Sequence, residues 1–120
     1  MPLKILALMV MLAGFTLASY AMITNRFFSG TVRIQTEREH RVVTAGPYRW
    51  IRHPGYAGSM LANLAIPIIL DSSWTYLPSA AAILILVFRT HLEDKYLQEN
   101  LAGYREYARQ VRFRLLPGIW

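Results

Sequence analysis

Cysteine is missing from this chain altogether. Disulfide frameworks, thiolate nucleophiles and sulfur-based zinc sites are therefore excluded, and the redox compartment is left unread. Charge is scarce as well. Only 17% of residues are charged, against about a quarter in soluble domains. Acids are the rarer sign, with seven Asp and Glu against 13 Lys and Arg and a net charge of +6. No Gly-x-Gly-x-x-Gly, phosphate loop, Gly-x-Ser-x-Gly or His-Glu-x-x-His string occurs, so those nucleotide-binding and hydrolytic signatures are lacking. His40, His53 and His91 are not spaced as a ligand set, and no metal is expected.

What the chain does have is apolar content, 54% of its 120 residues, gathered into blocks. A length of this order allows one small domain. The basic residues flank the apolar blocks instead of decorating a soluble face. That pattern suits an anionic membrane surface or an anionic ligand, and nucleic acid is not an expected partner.

From Ile5 to Ile23 no residue is charged, about the 20 residues that a spanning helix requires. The competing reading is a signal peptide, with Lys4 ahead of the apolar core and Ser19-Tyr20-Ala21 as its cleavage site. The core is longer than the roughly 7–15 residues usual for such a segment, which favours the spanning helix. Residues 24–55 are polar and basic, with Val32, Ile34 and Thr36 alternating as in a short extended piece. Within them, Glu37-Arg38-Glu39-His40-Arg41 reads as a solvated surface. Two further uncharged runs follow, Tyr56 to Leu70 and Trp74 to Phe88, separated by Asp71-Ser72-Ser73. Trp74 and Tyr76 suit an interfacial aromatic belt. Each run is short for a bilayer unless its flanks extend the helix, and the pattern after Phe88 does run on to Leu101. Beyond Gly103, Tyr104, Tyr107, Ala108 and Val111 share one stripe of an amphipathic helix that Pro117-Gly118 should end. The expected architecture is all-α: a membrane helical bundle of three spans, in which 1–23 is the first, 56–101 a helical hairpin, and 102–120 a C-terminal helix and tail.

Six arginines lie between the first two apolar runs: Arg26, Arg33, Arg38, Arg41, Arg49 and Arg52. The C-terminal segment holds Arg89, Lys95, Arg105, Arg109, Arg112 and Arg114, whereas the opposite side has only Lys4 and Asp71. The positive-inside rule puts both basic segments in the cytoplasm, so that Arg52-His53 and the helix leaving Arg89 meet on one membrane face.

Polar groups gathered at the mouth of an apolar segment are functional candidates, because they are costly near hydrocarbon. The densest group is Gly46-Pro47-Tyr48-Arg49-Trp50-Ile51-Arg52-His53-Pro54-Gly55-Tyr56. His53 precedes a proline and is biased away from helix, which displays it at a helix start. Arg52, beside a span, is also the kind of residue that anchors to lipid phosphate. Arg89 and Glu93 are spaced i,i+4 and share a helix face. Asp94 lies about 100° further round, toward the same cavity edge or toward water.

Arg52-His53-Pro54-x-Tyr56-x-Gly58 after Gly46-Pro47-Tyr48 resembles the signature of the isoprenylcysteine carboxyl methyltransferase family. The likeness continues through Arg89-x-x-x-Glu93-Asp94-x-x-Leu97, Gly103-Tyr104-x-x-Tyr107 and Arg112-x-Arg114-Leu-x-Pro117, and covers roughly residues 32–120. Phospholipid methyltransferases and bacterial thiol methyltransferases share the pattern. The resemblance implies S-adenosyl-L-methionine at the cytoplasmic face, lined by Gly46, Pro47, Tyr48, His53 and Tyr56, with Glu93 completing its polar contacts. Arg89 and Glu93 would be the catalytic pair, Arg89 holding the acceptor's carboxylate and Glu93 fixing Arg89. The acceptor implied is a membrane-delivered lipid or lipidated molecule.

Two departures stand out. The family usually carries two glutamates where this chain has Glu93-Asp94, and its members usually have further spans upstream. A lipid-access tunnel would then be incomplete or closed by a second copy, a homo-oligomer. Methylation of a phospholipid amine or a small thiol, and a non-catalytic subunit or shortened relic, stay open as alternatives.

Overall fold

A computed structural model describes residues 1–28 and 34–120. Its main elements are α1 (Pro2–Thr24), α2 (Pro54–Leu70), α3 (Tyr76–Asn100) and the short α4 (Tyr104–Gln110). Single 3₁₀ turns at Thr36–Arg38, Gly46–Arg49 and Ser73–Thr75 punctuate the connections. No strand occurs among the described residues, and the all-α expectation holds. The extended piece does not form at Thr36, which opens a 3₁₀ turn; its Val32 end lies outside the described residues.

Prolines set the helix starts. Pro2 and Pro54 occupy first-turn positions of α1 and α2, where the missing N–H costs nothing. His53, held off helical geometry by the following proline, caps α2 at φ −128°. Asp71 closes α2 in the left-handed region, at φ 55°.

Small residues decide how α1 meets α2. Ala7, Gly14 and Ala21 are the buried positions of α1, and Gly58, Ala62 and Ala65 lie buried on α2. A methyl group on Gly14 would stand 2.9 Å from the Ala62 amide nitrogen, and one on Gly58 would stand 2.7 Å from that of Ala18. The two backbones are therefore in contact, as in small-residue seams between membrane helices. The large side chains turn outward: Leu8, Met9, Leu12 and Phe15 from α1, and Leu77, Leu84, Ile85 and Phe88 from α3 are exposed. Apolar surface left uncovered along whole helices belongs to a lipid-solvated helix, not to the core of a soluble domain.

Pro2–Thr24 and Ser73–Asn100 are long and apolar enough to cross a membrane. The 17-residue α2 rises about 25 Å, short of a hydrocarbon core of about 30 Å. Three spans were expected; two helices meet the length, and α2 is a shorter apolar helix between them. At the end away from the basic segments, Lys4 and Asp71 pair at 3.1 Å.

The last helix stops well before Pro117-Gly118, at Gln110. Arg52 caps that end: its guanidinium donates to the carbonyls of Ala108 and of the C-cap residue Val111, each at 3.2 Å. With its terminal carbonyls so satisfied, the chain leaves the helix and runs beside the 52–53 loop. There Arg52 N–H donates to Phe113 and His53 N–H to Arg114, both at 2.9 Å.

Candidate functional site

The loop ahead of α2, the polar half of α3, and α4 converge at one end of the molecule. Gly46, at φ 58°, takes a backbone conformation that suits glycine, and Pro47 follows as a first-turn residue. The resulting 3₁₀ turn is clamped by Tyr107, whose hydroxyl donates to the Tyr48 carbonyl at 2.7 Å. Tyr48 in turn receives a hydrogen bond from the Asn25 amide at 3.3 Å. Ala21, Tyr48, Leu101, Tyr104 and Tyr107 pack together as the core beneath this end.

Beside that core lies an aromatic-walled cavity. Tyr48, His53, Tyr56 and Glu93, all expected from the sequence, line it together with Phe27, Tyr104 and Tyr107. Gly46 and Pro47, expected to line it, are not among its lining residues, and the turn reaches the cavity through Tyr48. Arg89 reaches its edge through Tyr56: Arg89 Nε donates to the Tyr56 hydroxyl at 2.9 Å, and that hydroxyl donates to Glu93 Oε2. The Arg89 guanidinium also sits 5.7 Å from the Tyr56 ring centre. Tyr56 thus stands between the two i,i+4 partners and orients both. Tyr56 and His53 stack with ring centres 5.9 Å apart. His40, unlike its exposed neighbours in 37–41, stacks on Phe27 at 4.4 Å.

Sequence reasoning missed the centre of the junction. Asp94 is 1% exposed and is the point on which four segments meet. Its Oδ1 accepts from Arg52 Nε at 2.8 Å, Tyr104 Oη at 2.9 Å and His53 Nε2 at 3.0 Å. Its Oδ2 accepts from Gln98 Nε2 at 2.7 Å, Arg52 Nη2 at 2.8 Å and Arg114 Nε at 3.2 Å. Arg52 is therefore no headgroup anchor: it is buried and bound bidentately to Asp94. A planar fork on a carboxylate is the strong, geometrically specific form of such a pair. The shorter acid beside Glu93 turns inward on α3 with Thr90 at i−4, above the buried Leu101 that follows the helix end. That buried stripe was the available signal. Burial, and then the Asp94 carboxylate beside it, raise the Tyr104 hydroxyl far above the ordinary tyrosine range. Burial does the same to Tyr107, so both act as neutral donors.

The arrangement supplies a carboxylate, a guanidinium and several aromatic faces at the polar end of apolar helices. Residues 5–99 match the model of the isoprenylcysteine carboxyl methyltransferase (ICMT) family, and the chain belongs to that family. It is similar to the probable protein-S-isoprenylcysteine O-methyltransferase of Oryza sativa subsp. japonica, 30% identical over 110 residues that cover 87% of this chain and 56% of the relative. The Saccharomyces cerevisiae protein-S-isoprenylcysteine O-methyltransferase is 31% identical, over 87% of this chain and 44% of its own length. A solved structure of the eukaryotic intramembrane Ras methyltransferase ICMT superposes with a TM-score of 0.82 at 28% identity, over 98% of this chain and 43% of that one. The chain spans about half the length of the curated relatives it matches. An integral membrane fold goes with the family, and the outward apolar faces of α1 and α3 fit it.

Proposed function

We propose that this chain carries the catalytic portion of an S-adenosyl-L-methionine-dependent methyltransferase. Its acceptor would be a membrane-delivered carboxylate, of the kind an isoprenylated cysteine presents. The observation that carries this reading is the Arg89–Tyr56–Glu93 chain of hydrogen bonds at the edge of the aromatic cavity. The positive-inside asymmetry of the basic segments supports a cytoplasmic position for that cavity.

The lining suits the donor. Glu93 would take its ammonium, while Tyr48 and Tyr56 offer π faces to a sulfonium cation. His53 would complete the wall, and the Gly46–Pro47 turn would hold Tyr48 in it. The cavity is about 80 Å³, so a nucleoside-sized ligand, which ordinarily fills a pocket of about 300 Å³ or more, would extend through its mouth. When bound, S-adenosyl-L-methionine supplies a methyl group activated on a sulfonium.

This chain's residues do the rest by placement. The Arg89 guanidinium would hold the acceptor carboxylate, with Tyr56 fixing its plane from the Nε edge. A carboxylate with a pKa near 4 is already ionised at neutral pH, so no general base is needed. Orientation and charge complementarity then carry the rate.

The test is a pH–rate profile for wild type and Arg89→Lys, with isoprenylcysteine, phospholipid and thiol acceptors. With a carboxylate acceptor the rate should be nearly flat from pH 6 to 8. A free thiol, with a pKa near 8.5, would instead quicken about tenfold per pH unit. Arg89→Lys lacks the planar fork, and losing that charge-assisted contact should cost about 1.5–3 kcal/mol, roughly ten- to a hundred-and-fifty-fold in kcat/KM. Cofactor affinity should change far less. A steep pH dependence together with an active lysine variant would transfer the reading to thiols or amines. Inactivity toward every acceptor would favour a non-catalytic chain.

A further inference from the structure

The polar half of α3 has a second side. Away from the aromatic cavity, its last turns meet α4 and the C-terminal tail at a cleft of about 290 Å³ lined by charged and polar residues, His91 among them. Lys95, Gln98 and Glu99 come from α3, Arg105 from α4 and Arg114 from the tail, with Asp94 between them. The positive charge in this cleft is in surplus. Asp94 is already matched on both oxygens by Arg52, which leaves Glu99 as the acid facing Lys95, Arg105 and Arg114.

Two of these cations are held in place without being used up. Arg105 spends its Nε on the Gln98 carbonyl at 3.0 Å. Arg114 spends its Nε on Asp94 at 3.2 Å and rests over the Trp120 ring at 4.9 Å. Among the described residues, no hydrogen bond engages the terminal nitrogens of either guanidinium, and neither a hydrogen bond nor an ion pair engages the Lys95 ammonium. Two anchored forks and an ammonium around one space form a donor set for phosphate oxygens. The depth fits too. Phe88 and Leu92 are exposed apolar side chains of α3, and Lys95 and Gln98 follow within the next two turns. A cleft there lies at the headgroup layer when α3 spans the bilayer, and the tryptophan beneath Arg114 suits that layer.

We propose that this cleft binds the phosphate of an anionic phospholipid. The inference is independent of the methyl-transfer reading, because its readout is binding alone. Full-length protein in uncharged detergent would be titrated with dioctanoyl phosphatidylglycerol, dioctanoyl phosphatidylcholine and inorganic phosphate, followed by isothermal titration. Saturable phosphatidylglycerol binding, tighter than phosphatidylcholine binding, is expected. Lys95→Gln with Arg105→Gln removes two exposed cations and should weaken it about ten- to thirtyfold. Lys95→Arg keeps the charge and leaves the Arg105 fork in place, and should hold affinity within about threefold. Weak competition by inorganic phosphate would support the shared chemistry, whereas phosphate binding as tight as the lipid's would overturn the lipid as its source. Equal phosphatidylglycerol affinity in wild type and the glutamine variant, or no preference over phosphatidylcholine, would overturn the proposal.

Discussion

The α1–α2 seam and the Asp94 junction join the same molecule by opposite means. The seam is held by shape: Gly14 and Gly58 let two backbones touch, with Ala18 and Ala62 against them. The junction is held by complementary charge, with one carboxylate receiving Arg52, His53, Gln98, Tyr104 and Arg114. In lipid, apolar surface drives no association between helices, so the seam depends on close contact alone. At the junction the polar groups are buried and must find one another, since an unmatched one is costly. One region should therefore resist changes of charge nearby yet fail on added volume. The other should fail as soon as a charge is removed.

The largest effect should come from the junction. Asp94→Ala strands the buried Arg52 guanidinium, and breaking a buried pair on one side costs about 3–5 kcal/mol. Unfolding in a denaturing-detergent titration measures it, and a loss under about 1 kcal/mol would mean that water already reaches these charges. Next comes the seam. Gly58→Ala puts a methyl group 2.7 Å from the Ala18 amide nitrogen, and forcing the backbones apart should cost about 1–3 kcal/mol. An unchanged midpoint would show that the helices can slide. Least affected should be the exposed pair at the far end. Lys4→Gln removes the 3.1 Å contact to Asp71, and exposed pairs are worth about 0–1 kcal/mol. A larger loss there would blur the distinction between solvated and buried charge.

The two regions were also unequally legible in the sequence. The apolar runs announced α1, α2 and α3, and His53 before Pro54 marked the start of α2. Tyr48, His53, Tyr56 and Glu93 were singled out by the family resemblance, with local cues beside it for His53 before a proline and for the i,i+4 spacing of Glu93. Arg52 and Asp94 are 42 residues apart, and no local pattern ties such a pair. Arg52 read equally well as a lipid anchor, and only the burial of α3's inner stripe tells the difference. The end of α4 was misplaced for the same reason. Its end is capped by a guanidinium from the 52–53 loop, well before the proline and glycine downstream.

The position of Arg52 bears on how the molecule is made. Its guanidinium joins α3 through Asp94 and α4 through Ala108 and Val111, 56 and 59 residues further along the chain. During synthesis α1 and α2 can pair early, whereas Arg52 must wait for partners that emerge later. Through that interval an arginine destined for the interior has to stay hydrated at the membrane edge. Substitutions at the junction should therefore appear first as lower yield and faster degradation of the nascent protein, before any purified sample reveals a defect in chemistry.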